Sequence, residues 1–245
     1  MLLLTGRKKQ AAVAAASGQY LQSLIGWWAL DEASGDAIDS ASGGLNLTAN
    51  ATPGTAVGKV ATCRTLEAAS SQYFNRTSGT NFGCANIAFF WSLWVKWVSQ
   101  GDARRVFSHA KNDFSFINYE LYESGNGGLV FRAWSAGLGG NKAVTYSGAL
   151  STGLWYHIVC GQDAPDGNLF IAVNNSTPDT AALAGLIPAA GDGQFNLGRY
   201  AAGENSYIDA YIDEVGFWKR APLVGEIDFQ YNAGAGRSYA QTAAV

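Results

Sequence analysis

The stretch Ile87-Ala-Phe-Phe-Trp-Ser-Leu-Trp-Val-Lys-Trp-Val98 decides the architecture. Alternation along an extended chain puts Trp91, Leu93, Val95 and Trp97 on one face. Phe90, Ser92, Trp94, Lys96 and Val98 take the other. Both sets are largely apolar, so the segment reads as a central strand covered on both sides. Working outward, short apolar runs recur at 27–30, 104–109, 114–122, 128–134, 142–147, 154–162, 168–174, 194–199 and 206–218, broken by Gly, Asn, Asp and Ser clusters. Strands at this spacing argue an all-β sandwich or barrel. Asp166-Gly167-Asn168 and Asn126-Gly127-Gly128 are hairpin signals. Helices are expected near 8–24, rich in helix formers, and near 222–232, opening after Pro222 and carrying Val224, Ile227, Phe229 and Tyr231. No repeat of 20–50 residues is present, which removes propellers and solenoids.

The composition narrows the class. Of 245 residues, 48% are hydrophobic and only 14% charged, against about 25% charged in an ordinary domain. Disorder is excluded and a large core is within reach. A net charge of -3 and a pI of about 5.3 give no basic field for nucleic acid. No apolar run reaches the roughly 18 residues a membrane helix needs. The three cysteines, Cys63, Cys84 and Cys160, are too few and too scattered for a disulfide framework. Cys160 lies in an apolar run and reads as a buried thiol, and a Cys63–Cys84 bridge stays open. The sequons at Asn46, Asn50, Asn75, Asn174 and Asn175 fit an Asn-rich turn composition and need no glycosylation.

Residues 1–25 read as an arm outside a body at 26–245. Met1 to Leu4 are apolar, and Arg7-Lys8-Lys9 is the densest positive cluster of the chain, followed by Ala-rich sequence that makes a poor signal peptide. The expectation is attachment to other subunits of a larger assembly; the alternative is that Leu2 to Leu4 add an edge strand to their own sheet.

Gly26-Trp-Trp-Ala-Leu-Asp-Glu-Ala-Ser-Gly35 with Asp39-Ser-Ala-Ser-Gly-Gly44, then Phe89 to Lys96, then Trp155-Tyr-His-Ile-Val159 with Asp166-Gly-Asn-Leu-Phe-Ile-Ala-Val-Asn174, follow one another in order. Asn196-Leu-Gly-Arg-Tyr200 and Ile212-Asp-Glu-Val-Gly-Phe-Trp-Lys-Arg-Ala221 close the series, with Glu226-Ile227 and Tyr231 to Gly236 behind them. This ordered set resembles a laminin-G-like domain of the concanavalin A-like lectin/glucanase superfamily, over about residues 26–239. The resemblance implies a jelly roll of two curved antiparallel sheets; the residues themselves add a short N-terminal helical arm and a short C-terminal helix. It leaves function open, because the fold hosts lectins, glycosidases, adhesion modules and viral coat components.

Related glucanases place Glu-x-Asp-x-x-Glu on one strand. Glu226-Ile-Asp-Phe-Gln-Tyr231 lacks the third acid and falls on the expected helix. Asp213 and Glu214 are adjacent, so regular alternation sends them to opposite faces. His109 and His157 have no metal-pair spacing, and there is no nucleophile elbow or P-loop. An enzyme is therefore not expected. The resemblance implies a structural calcium ion held by Asp213 with Asp31, Glu32 or Asp39; the alternative is that Asp213 anchors a buried hydrogen-bond network joining the two ends of the jelly roll, the other acids being solvated turn residues. Trp134, at a strand end before a glycine-rich loop, is the expected saccharide platform, with Arg132, Asn141 and Tyr146 beside it and Tyr119, Tyr122 and Trp97 along the same face. Trp94 is the weaker platform candidate, and an aromatic stripe on a strand more often belongs to the core. The expected function is a non-catalytic surface module, a tailed-phage capsid decoration or tail protein at the virion surface. A secreted glycan-binding adhesion module, with cell-surface glycans as partners, is the alternative, and a glycoside hydrolase the remote one.

Overall fold

The computed structural model describes residues 20–41, 43–77, 81–111, 117–125, 127–135, 139–186, 188–189, 193–200 and 206–244. The expected arm and most of the helix expected near 8–24 lie outside the described residues. Tyr20 is already buried, so the body reaches back beyond the expected boundary at Gly26. Leu24 begins a strand instead of ending a helix.

Two antiparallel sheets form the body. The strands are β1 Leu24–Trp28, β2 Thr48–Asn50, β3 Gly54–Val57, β4 Thr62–Leu66, β5 Tyr73–Thr77, β6 Phe89–Ser99, β7 Asp102–Ala110 and β8 Ile117–Ser124. They continue as β9 Leu129–Trp134, β10 Asn141–Thr145, β11 Trp155–Gln162, β12 Asn168–Val173, β13 Asp179–Ala182, β14 Gln194–Leu197 and β15 Asp209–Trp218. The first sheet runs β13-β12-β11-β6-β15-β4-β3, with β1 also on β15; the second runs β10-β9-β8-β7-β14-β5-β2. The two hairpins read from Gly-containing turns join β11 to β12 and β8 to β9.

The inner faces meet in one aromatic core. Trp91, Leu93, Val95 and Trp97 of β6 enter it as alternation requires, beside Trp28, Phe82, Phe195 and Phe217. Trp97 and Tyr119, expected on the ligand face, belong to this core. Trp91 stacks on Phe217 at 4.2 Å and on Phe195 at 4.7 Å, pairs that add about 0.5–1.5 kcal/mol each beyond their buried area. Cys63, Cys84 and Cys160 are buried and free.

The outer face of the first sheet carries a second cluster: Tyr20, Trp27, Phe90, Val159, Phe170, Trp218 and Phe229. Phe229 comes from helix α1, Glu226–Tyr231, which starts later than 222 because Gly225 takes a left-handed turn ahead of it. Val224, expected within the helix, precedes it and is 90% exposed. A further helix, α2 at Tyr239–Ala243, opens with a Ser238 capping box and was not anticipated. This segment covers β6 through Trp94, which stacks on Tyr231 at 5.8 Å. The covering stops there. Val98 is 53% exposed, so β6 is sheathed on both sides over only part of its length.

Candidate functional site

The second sheet turns its outer face away from the core, and cross-strand register sets the side chains on it. Phe131 and Ala133 point into the core, so Arg132 and Trp134 between and after them point out. Arg132 pairs with Glu120, Glu120 with Ser108, Ser108 with Asn196, Asn196 with Asn75, and Asn75 with Thr48. Directly opposed residues share a face. These six therefore form one polar row across the sheet. Asn141 stands opposite Trp134, and Tyr122 opposite Arg105, on the same side.

Glu120 organises the centre. Its side chain is fully buried and accepts from Arg105 Nε at 3.0 Å through Oε2. Its Oε1 accepts from Arg132 Nε at 2.7 Å, from a second Arg132 nitrogen, and from the indole Nε1 of Trp134 at 3.4 Å. Two guanidinium groups share one carboxylate, which leaves one surplus positive charge. The guanidiniums lie against aromatic faces: Arg132 is 4.8 Å from the ring centres of both Tyr122 and Trp134, and Arg105 is 4.6 Å from Tyr200. Such cation–π contacts are worth about 0.5–2 kcal/mol each and hold the rings in place.

The connection from β14 to β15 crosses this face. Ser108 Oγ donates to the carbonyl of Arg199 at 3.1 Å, and the Arg105 amide donates to that of Ser206 at 3.0 Å. Tyr200 packs on Ala110 and Ile117, with Trp134 against them. Beyond that crossing, Tyr122, Arg132 and Trp134 are half-buried and Asn141, Ala143 and Thr145 exposed.

Three expected ligand residues, Trp134, Arg132 and Asn141, thus come together. Tyr146 does not: it packs against the inner core, on the side of Val144. Tyr119 and Tyr122 are an odd number of residues apart in β8, so only Tyr122 reaches this face. Trp94 is buried under Tyr231 and Gly236. Glu120 was missed, although the same alternation that exposes Tyr122 puts Glu120 beside it.

The acids of β15 behave differently from the sequence expectation. The register shifts between Asp213 and Gly216, and Glu214 has a left-handed φ of 48°. This bulge interrupts alternation. Asp213 pairs with the outward Trp94, while Glu214 reaches Trp27 of the outer cluster, whose indole donates to Oε2 at 2.5 Å. Both acids therefore lie on the outer side. Asp213 Oδ2 accepts from the amides of Lys59 at 2.7 Å and Val60 at 2.9 Å, which fastens β15 to the β3–β4 turn. A Cβ on Gly58 would stand 2.6 Å from that same oxygen, so the clasp needs glycine there. Burial pushes the carboxyl of Asp213 up to about 7, and burial together with the neighbouring Asp213 pushes that of Glu214 up to about 9.

The acids expected to share calcium are held separately. Asp39 accepts from the amides of Trp27, Ala41 and Leu45, and Asp31 from the amide and hydroxyl of Thr62. Glu32 accepts from the amide of Ile38. Among the described residues no three His, Cys, Asp or Glu side chains are grouped to hold a metal. The donors as arranged do not fit the ion; backbone amides satisfy Oδ2 of Asp213, while the buried Oδ1 has no hydrogen-bond partner among the described residues.

The Laminin G 3 family model, described as the concanavalin A-like lectin/glucanases superfamily, matches residues 69–228. No curated protein matches the sequence. Among solved structures, the binding domain of Paraclostridial Mosquitocidal Protein 1 is 14% identical with a TM-score of 0.68, over 86% of this chain and 52% of that one. The binding domain of botulinum neurotoxin serotype G is 13% identical with a TM-score of 0.65, over 86% and 51%. Domain 4 of AbnA, an extracellular arabinanase from Geobacillus stearothermophilus, in complex with arabinotriose, is 16% identical with a TM-score of 0.62, over 88% and 98%. At these identities the likeness is one of fold, and the chain spans about half the length of the two toxin binding domains.

Proposed function

We infer, for a chain that belongs to the concanavalin A-like lectin/glucanases superfamily, a non-catalytic module that binds saccharides on the outer face of its second sheet. One observation carries the reading: the half-buried rings of Tyr122 and Trp134 stand with exposed Asn141 at the open end of the row Arg132–Glu120–Ser108–Asn196–Asn75–Thr48, whose buried Glu120, Ser108 and Asn196 support the face from beneath. Sugar rings stack their C–H faces on aromatic rings and give their hydroxyls to amides and fixed charges. The face offers both, on strands instead of loops, with the rings held by guanidiniums.

The carboxyl groups support a non-catalytic role. Glycoside hydrolysis needs two accessible acids with an open path to the sugar. Glu120 has its oxygens filled by three side chains, and Asp213 and Glu214 are buried. Glu226 is held by Arg220 at 2.6 Å.

Display of this face on a virion, or at a cell exterior, is the finer form of the reading, and residues 1–25 would carry the attachment. Deleting residues 1–19 tests that part: the body keeps its fold and saccharide binding but no longer joins its assembly. The binding claim is tested on a glycan array. Wild-type protein is expected to retain a discrete set of saccharides, Trp134→Ala and Asn141→Ala to lose it with melting temperatures near wild type. An array on which neither variant differs from wild type would overturn the reading.

A further inference from the structure

The first sheet has its own uncovered region, at the end of β6 that the C-terminal segment leaves bare. Register aligns Trp155, Lys96, Tyr211, Thr65 and Gly54 in a row on its outer side. The Lys96 ammonium lies 4.1 Å from the ring centre of Tyr211 and 5.1 Å from that of Trp155. Among the described residues it has no ion-pair partner. Two hollows flank Tyr211. One, of about 330 Å³, is walled by Lys96, Val98 and Thr152; the other, of about 420 Å³, by Thr65, Glu67 and Asp209. Tyr211 and Val98 line both, so they join into one groove across the sheet.

We propose that this groove is a second binding surface, distinct from the face around Glu120, and that it takes a carboxylate-bearing saccharide with Lys96 as the group that recognises the carboxylate. The charges choose the occupant. An ammonium group held between two rings, without a carboxylate of its own, is a site for an external anion. The rings and Val98 offer apolar surface to the C–H face of a pyranose. At the far end Glu67 and Asp209 accept hydroxyl hydrogens, and their negative charge disfavours a phosphate dianion there. A sugar acid has the anion at one edge and hydroxyls at the other, in the order the groove presents.

The test uses the full chain and calorimetric titration with trigalacturonate and sialyllactose, each against its neutral counterpart, galactotriose and lactose. At least one acidic sugar binds, and its neutral counterpart binds at least about tenfold more weakly, the loss of one charge-assisted contact. Lys96→Met, which keeps the stem against the rings, loses binding to the same extent. Lys96→Arg retains it, Tyr211→Ala weakens it, and Trp134→Ala leaves it unchanged. The proposal is overturned if neither acid binds, if acidic and neutral sugars bind equally, or if Lys96→Met binds as wild type does. Loss in Trp134→Ala alone would place the sugar on the other face. Self-association that Lys96→Met abolishes, read by light scattering, would make the groove a contact between copies and equally overturn the proposal.

Discussion

Asp213 and Glu214 are sequence neighbours whose carboxyl groups lie on the same side of β15, because the bulge at Glu214 breaks the alternation of the strand. Asp213 is clasped by the amides of Lys59 and Val60, and Glu214 by the indole of Trp27. Both are buried, and the Asp213 carboxyl raises the proton affinity of Glu214.

A stability profile against pH follows from that pair. The folded carboxyl of Glu214 is raised to about 9, whereas the unfolded one titrates near ~4.3. The folded state keeps a proton that the unfolded chain releases, so the stabilisation is complete at low pH and is lost as pH rises to about 9. Between pH ~7 and ~9 the fall is on the order of 1 kcal/mol per unit. Urea midpoints across this range measure it. Glu214→Gln should flatten the slope, and an equal slope in that variant would show that another group carries it.

The acid flank has a different origin. Burial pushes His109 down to about 4 and His157 down to about 3. Unfolded histidines take up protons near pH ~6.5. The neutral histidines therefore stabilise the fold above that pH, and the contribution is lost as pH falls. Between pH ~6.5 and ~4 this loss runs against the gain from Glu214 and Asp213, so it is read as a difference: on acidification the melting temperature of His157→Gln should rise relative to wild type, once its own cost at neutral pH is subtracted.

The calcium expectation has a direct check. Because the acids are held apart and Oδ2 of Asp213 is already taken by two backbone amides, chelator added to protein purified with calcium should leave the melting temperature unchanged. A drop that disappears in Asp213→Ala would restore the metal. Gly58→Ala, which drives a methyl into the Asp213 oxygen at 2.6 Å, should destabilise the protein with or without chelator.

Removing Glu120 should be costly. Glu120→Ala leaves Arg105 and Arg132 facing each other, one of them with a side chain only 10% exposed. Breaking such a pair costs about 3–5 kcal/mol. Chemical denaturation reads the loss. A cost below 1 kcal/mol would mean that the carboxylate does not organise this face.

Much of this was legible from residue order. The 87–98 segment showed its two faces, the Asp166-Gly167 turn its hairpin, and Trp134 with Arg132 and Asn141 the open end of the ligand face. The failures have physical causes. Tyr146 was grouped with Trp134 by nearness in sequence, although a strand sends residues an even number apart to one face and Tyr146 shares its face with Val144. A bulge is set by a local φ of 48° and leaves no trace in hydrophobic spacing, so the Asp213–Glu214 pair was invisible. Glu120 becomes a hub only through partners on β7 and β9, and strand pairing supplies those.

Saccharide bound on the outer face of the second sheet would lie against the Trp134 indole. The indole N–H resonances of the eight tryptophans read it most directly, by two-dimensional nitrogen–proton correlation spectra during titration with a saccharide retained on the array. The Trp134 signal should shift progressively to saturation, while those of the core residues Trp28 and Trp91 stay in place. A titration that saturates with the Trp134 signal unmoved would contradict binding on this face.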